Sequence, residues 1–230
     1  MGTEIPGEPG TCLGSMGIYI FEAKELERRL IADAEMEGET SHDFGKDILP
    51  RMVADGEGVV AHAFENAGDE GGEPYWRDVG TIESYFDTNL DLCSVTPAFN
   101  LYDQSWPIYT LWHNDPPAKT IFGNGDALHA EVIDSLLCNG SIVSGSRVRR
   151  SILSNRVYTG ENARLEECIL LNGVKIGAGA ALRRVIVDKW VEIPPGERIG
   201  YDLEQDRERF PVSDSGIVIV PSERGRPSDF

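Results

Sequence analysis

Histidine and cysteine carry much of the metal and nucleophilic chemistry of proteins, and in this sequence both are dispersed. The histidines are His42, His62, His113 and His129, so none falls between Ile142 and Ile199, where the chain repeats. Solenoid enzymes that transfer acyl groups or use zinc place histidines at their coil edges as bases or metal ligands. A hexapeptide-type acyltransferase therefore stands only as a contrast, to be revived by acyl-CoA turnover. Cys12, Cys93, Cys138 and Cys168 form no C-x-x-C pair, which argues against a zinc knuckle or disulfide framework and for buried free thiols.

Phosphate chemistry leaves other marks. The run Gly177-Ala178-Gly179-Ala180-Ala181-Leu182 approaches G-x-G-x-x-G but lacks the third glycine and lies inside a repeat, so it reads as a turn of that repeat. No Walker-type loop occurs. A formal charge of −18 argues against a nucleic-acid partner, because phosphate neutralisation needs clustered Lys and Arg. Any phosphate bound here must meet local cations. No apolar run nears the roughly 18 residues that span a bilayer, and MGTEIPGEPG has neither a basic flank nor an apolar h-region, so no membrane partner and a cytoplasmic location are expected.

The elements that would position such groups fall into two kinds. In the first half, Ile18, Ile20 and Phe21 predict a strand, and Leu26, Leu30, Ile31 and Ala34 are spaced for a helix over Glu25 to Glu35. Ser41 or Asp43 is placed to cap a short helix through Ile48, Leu49, Met52 and Val53, with Pro50 in its first turn. Val59 to Phe64 reads as a strand and Glu65 to Pro74 as an exposed loop. Ile82, Tyr85, Phe86 and Leu90 share a helical face within Thr81 to Val95, and Asn114 to Lys119, with Pro116 and Pro117, reads as a stiff linker.

Beyond the prolines a period of 17 residues takes over. Val148, Leu165, Leu182 and Ile199 form one series, Val157, Val174 and Val191 a second, and Ile152, Ile169 and Ile186 a third. Such a pattern predicts a β solenoid whose coils stack their inward aliphatics, each worth roughly 1.5–3 kcal/mol when fully buried. Gly160, Gly177 and Pro194 fall where the backbone must turn. The same register stacks Arg149-Arg150, Glu166-Glu167 and Arg183-Arg184 about 4.8 Å apart, a charge ladder that supports the coil register. A solvated ladder of about 0–1 kcal/mol per pair is the expectation, ahead of an anion site.

Five segments carry a resemblance: Cys12-Leu13-Gly14-Ser15-Met16-Gly17-Ile18-Tyr19, Ser41-His42-Asp43-Phe44-Gly45-Lys46-Asp47, Tyr75-Trp76-Arg77-Asp78-Val79-Gly80-Thr81, Trp106-Pro107-Ile108 and Pro116-Pro117-Ala118-Lys119. In order and without large gaps, they resemble the C-terminal portion of the bacterial ADP-glucose pyrophosphorylase (glucose-1-phosphate adenylyltransferase) family, from about Cys12 to Val220. The resemblance implies the α/β remainder of a Rossmann-like nucleotidyltransferase domain over 1–113 and a linker over 114–120. A left-handed parallel β-helix of the hexapeptide type is implied for 121–220, with a flexible tail over 221–230.

It also implies roles. Ser15 matches the serine whose hydroxyl meets glucose 1-phosphate, with Asp43 and Lys46 as second-rank candidates near the sugar. Asp78 matches the aspartate that helps to hold Mg2+, a hard ion suited to carboxylate and phosphate oxygens; without the resemblance it reads as a carboxylate favoured by a helix N-terminus. Lys189 stands where some members place an arginine that binds the inhibitor AMP, and a lysine keeps that charge but loses the bidentate fork.

By resemblance the reaction joins ATP and glucose 1-phosphate into ADP-glucose and pyrophosphate for glycogen synthesis. The family's Gly-rich nucleotide loop, catalytic aspartate and sugar-phosphate lysine have no counterpart in the sequence. The expectation is a fragment, from a truncated gene or a split enzyme, inactive alone and completed by an N-terminal half or within a homotetramer. A non-catalytic regulatory or assembly subunit of a full-length enzyme is the alternative.

Overall fold

The computed structural model describes residues 4–5, 8–12, 14–36, 38, 40–64, 75–110, 113–123 and 129–222. They divide into two compact units, 1–65 and 66–230. The predicted loop over 65–74 and the tail beyond 222 lie outside the described residues.

The first unit opens with a short antiparallel hairpin, β1 (Glu4–Ile5) and β2 (Glu8–Cys12). The helix α1 (Ala23–Ala34) forms as its spacing predicts. A π-helical turn over Phe44–Ile48 then runs into α2 (Leu49–Ala54), with Pro50 in the first turn, where its missing N–H costs nothing. The two predicted strands are not formed. Residues 18–21 and 59–64 are irregular, with Ile20 99% and Val60 88% exposed. Their composition suits a strand, but a ladder needs a neighbour, and none among the described residues pairs with either segment.

The second unit is built on a parallel β solenoid. One sheet stacks β3 (Lys119–Ile121), β6 (Ile142–Ser144), β9 (Tyr158–Thr159), β11 (Lys175–Ile176) and β13 (Glu192–Ile193). The other stacks β4 (Glu131–Ile133), β7 (Arg147–Arg149), β10 (Arg164–Leu170), β12 (Ala181–Val187) and β14 (Arg198–Ile199). β5 (Leu136–Leu137), β8 (Ile152–Leu153) and β15 (Val218–Val220) extend it, and α4 (Leu203–Arg207) sits in the loop before β15.

The repeat is read directly in the register. Val148, Leu165, Leu182 and Ile199 are successive Cα partners and all buried. The coil before this series is one residue shorter, since Val132 pairs with Val148 and Leu136 with Ile152, and the first is longer, since Lys119 pairs with Ile142. The isoleucine series does not face inward as expected. Ile169 and Ile186 pack with Phe86 and Leu90 of α3 (Ile82–Asp91) and with Ile217, while Leu153, Leu170 and Val187 fill the interior. Alternation explains both, because adjacent residues of a strand point to opposite faces and α3 covers the outer one.

Corners recur in left-handed backbone, at Gly145, Asn162, Gly179 and Gly196, and at Arg150, Glu167 and Arg184. Gly160 and Gly177 lie two residues before such corners and are glycine for a different reason: a Cβ on Gly177 would sit 2.4 Å from the Pro195 nitrogen, and one on Gly160 2.8 Å from that of Ala178. The charge ladder forms at Glu167, 3.7 Å from Arg150 and 3.3 Å from Arg184. The Pro116-Pro117 segment lies along the solenoid: Asp115 accepts from Arg156 Nε at 2.6 Å, and Pro116 carbonyl from the Gly140 N–H at 2.6 Å. No helix of the described residues is long and apolar enough to cross a membrane.

Candidate functional site

In the first unit two separate motifs meet. Gly17 adopts φ +72°, a conformation open to glycine, and turns the chain after Ser15. Ser15 Oγ, exposed, then lies 2.6 Å from the Tyr19 hydroxyl and accepts the Gly17 N–H at 3.2 Å. Tyr19 stacks on Phe44, with centroids 5.8 Å apart, and Phe21 packs on both rings. A Cβ on Gly45 would sit 3.9 Å from the Tyr19 hydroxyl. Ser15 is thereby set beside the turn that holds Asp43 and Lys46.

That turn is tightly bonded. Asp43 caps it, its Oδ1 accepting from the N–H groups of Gly45 and Lys46, both at 2.8 Å. Asp47 reaches back to the Asp43 N–H at 3.1 Å and accepts the Ser41 hydroxyl at 2.6 Å; the Ser41 bond, then that of the Asp43 backbone, hold its pKa at about 2. Behind it Asp33, 5% exposed, accepts from Thr40 Oγ1 at 2.7 Å and Arg51 Nη1 at 2.7 Å and meets His42 Nδ1 at 2.8 Å. The Thr40 hydroxyl, followed by His42, lowers the Asp33 pKa. His42, at φ +58°, is thus committed to the loop.

Lys46 is exposed, its charge free to face solvent or ligand. Hydroxyl donors and one ammonium suit a hydroxylated, phosphorylated ligand. Sequence reasoning missed Tyr19 and Asp33 as positioning groups. The signal for Asp33 was present: a carboxylate seven residues after Leu26, inside the apolar stripe of α1.

In the second unit Asp78 is exposed, and its Oδ1 accepts the Gly80 N–H at 2.9 Å. That turn leads into α3, capped by Thr81, whose hydroxyl oxygen accepts the Ser84 N–H at 3.1 Å. Beside the motif Tyr75 stacks on Phe99 at 5.2 Å, and these rings with Trp76, Arg77 and Asn89 border a cavity of about 320 Å³. Among the described residues no three His, Cys, Asp or Glu side chains converge as a metal site. Asp78 offers one carboxylate oxygen beyond its turn bond, too few donors to hold an ion unaided.

Lys189 is exposed, next to the left-handed corner at Trp190. Its backbone N–H donates to Asp188 Oδ1 at 2.7 Å, and Asp188 Oδ2 accepts from Ser222 Oγ at 2.7 Å. Asp78 and Lys189 lie on separate elements of this unit, and Ser15, Asp43 and Lys46 belong to the other.

Residues 3–95 match the nucleotidyl transferase family, and 116–220 match the GlmU-like C-terminal hexapeptide family. The glucose-1-phosphate adenylyltransferase of Nitrosomonas europaea is 44% identical over 221 residues, 95% of this chain and 51% of that protein. That of Aliivibrio fischeri is 47% identical over 219 residues, 94% of this chain and 53% of that one. Glucose-1-phosphate adenylyltransferase 1 of Vibrio parahaemolyticus is 47% identical over 218 residues, again 94% and 53%. The chain spans about half the length of the curated relatives it matches.

Proposed function

We infer that this chain, a nucleotidyltransferase by family and homologous over almost all of its length to glucose-1-phosphate adenylyltransferases, is the sugar-phosphate-binding and solenoid half of such an enzyme. The observation that carries this reading is the Ser15 to Tyr19 bond at 2.6 Å beside the Asp43 turn, which gathers two motifs far apart in sequence onto one hydroxyl-lined surface.

The reaction is an in-line attack of a glucose 1-phosphate oxygen on the α-phosphorus of ATP, with pyrophosphate leaving. It depends on positioning and charge neutralisation, not on a protein nucleophile. Ser15 binds and orients the sugar phosphate, Tyr19 fixes the Ser15 rotamer, and Lys46 adds a nearby positive charge. Asp43 shapes the turn from which Lys46 projects. Enzymes of this family use a divalent ion; Mg2+ when bound would offset charge on the phosphates. Asp78 would be one ligand, and the described residues do not complete its site. Lys189 is read as a contact for an anionic effector.

On this reading the 230-residue chain makes no ADP-glucose by itself. The test is a chimera that joins the N-terminal half of the Nitrosomonas europaea relative to this chain, assayed for pyrophosphate release with ATP, glucose 1-phosphate and Mg2+. Turnover by the chimera and by neither half alone is expected. Release by the chain alone, or none from a folded chimera, would sink it.

A further inference from the structure

The outer face of β7, β10, β12 and β14 gathers Arg147, Arg149, Arg164, Arg183 and Arg198, all exposed, in a chain of net charge −18. Arg147 is balanced by Glu131 at 3.4 Å. The other four make no ion pair among the described residues, in contrast to Arg150 and Arg184 one position along, which share Glu167. Glu166 is the Cα partner of both Arg149 and Arg183 yet bridges neither.

Two of these arginines meet at one ring, and a third stands in strand register with them. Arg164 and Arg198 are the Cα partners of Ala181 on either side, so a methyl group stands where a long side chain would fill the middle rung. Arg183 and Arg198 both lie over the ring of Tyr201, at 5.3 and 4.3 Å from its centroid. A ring face attracts each guanidinium by about 0.5–1 kcal/mol at an exposed site, but it neutralises no charge and leaves the N–H forks unspent. Two like charges drawn to one ring repel each other, and a dianion bound beside them offsets that cost.

The geometry points to an oxyanion site on the solenoid, in which Arg164, Arg183 and Arg198 bind a phosphate or phosphate monoester above Ala181 and Tyr201 holds two of the guanidinia in place. Guanidinium forks match phosphate oxygens bidentately. The site is built wholly from the second unit and is independent of the sugar-phosphate surface proposed above.

The test titrates the full chain with inorganic phosphate and, separately, glycerol 3-phosphate by calorimetry at constant ionic strength in chloride. Saturable binding is expected, weakened on the order of tenfold or more in an Arg183→Gln, Arg198→Gln double variant and unchanged in Arg147→Gln. Equal affinity for both probes would assign recognition to the phosphate group alone; tighter monoester binding would add a contact to the organic part. Should the glutamine variant lose its fold, Arg183→Lys with Arg198→Lys keeps the charge but not the fork and is expected to weaken binding as well. Parent-like binding in a folded double variant, or no saturable binding by the parent, overturns the assignment.

Discussion

The hydroxyls of Ser15 and Tyr19, four residues apart on an irregular segment, share a 2.6 Å hydrogen bond while the Tyr19 ring stacks on Phe44. Tyr19→Phe keeps the ring packing and removes one of the two bonds that hold the serine hydroxyl, leaving the one from the Gly17 N–H. A net hydrogen bond is worth about 0.5–1.5 kcal/mol, so KM for glucose 1-phosphate in the chimera is expected to rise roughly two- to tenfold with kcat little changed. Ser15→Ala should raise it further. An unchanged KM in both variants would remove Ser15 from the sugar-phosphate surface.

Asp78 has two separable tasks. Asparagine retains the oxygen that accepts the Gly80 N–H at 2.9 Å, so Asp78→Asn leaves the entry to α3 intact and deletes only the charge. The expected outcome is an unchanged melting temperature, with chimera turnover reduced and partly restored by raised Mg2+. A lowered melting temperature with normal turnover would assign Asp78 to the helix start alone.

Acid should disorganise the first unit before the second. Arg28, the largest influence, holds Glu25 at a pKa of about 2, Ser41 chiefly holds Asp47 at about 2, and Thr40 chiefly lowers Asp33. Depressed carboxyl pKa values stabilise the fold above the ordinary values of 4.5 and 3.8, and that stability is lost as pH falls towards about 2. The solenoid core is aliphatic and gains nothing from deprotonation; on its coils Asp188 is the exception, where partial burial is outweighed by bonds from Ser222 and the Lys189 N–H and the pKa is lowered. Amide exchange followed from pH 5 downwards should show protection lost in residues 14–64 while 142–199 stay protected; the reverse order would contradict this.

Much of the second unit was legible because each of its signals is local or repeats. Phe86 and Leu90 lie on a helical face, and the Val148 series became Cα partners without a shift. What could not be read is partnership. Residues 18–21 and 59–64 carry strand composition, but composition does not supply the neighbouring ladder. The isoleucine series reads as buried, but a repeat alone does not tell the inner face from an outer one sealed by α3. The site motifs were visible as strings; that Tyr19 joins two of them depends on the Gly17 turn and ring packing.

Phe86 is the largest of the buried side chains that pack helix α3 on the solenoid, with Leu90 beside it. Phe86 is fully buried against Ile169, Ile186 and Ile217, with the Arg184 guanidinium 5.3 Å from its ring. Phe86→Ala should cost about 3–5 kcal/mol of that packing and release residues 75–110, seen as rapid proteolysis there with the coils intact. Unchanged proteolysis would mean that Leu90 and the Glu83 to Ser215 contact suffice.

Gly177 and Gly179 separate two reasons for glycine in one coil. Gly179 has φ +72° but open space around a would-be Cβ, so Gly179→Ala meets only left-handed backbone strain of roughly 1–2 kcal/mol. Gly177 has ordinary φ, but its Cβ would lie 2.4 Å from the Pro195 nitrogen and 2.6 Å from the Pro194 carbonyl carbon, both backbone atoms of the next coil. That backbone is tied down, since the Gly177 N–H donates to the Ile193 carbonyl at 2.8 Å. Gly177→Ala must therefore move one coil against another and break ladder bonds, and it should lower the melting temperature well beyond Gly179→Ala. Equal losses from the two alanines would show that turn strain, not coil spacing, selects glycine at both positions.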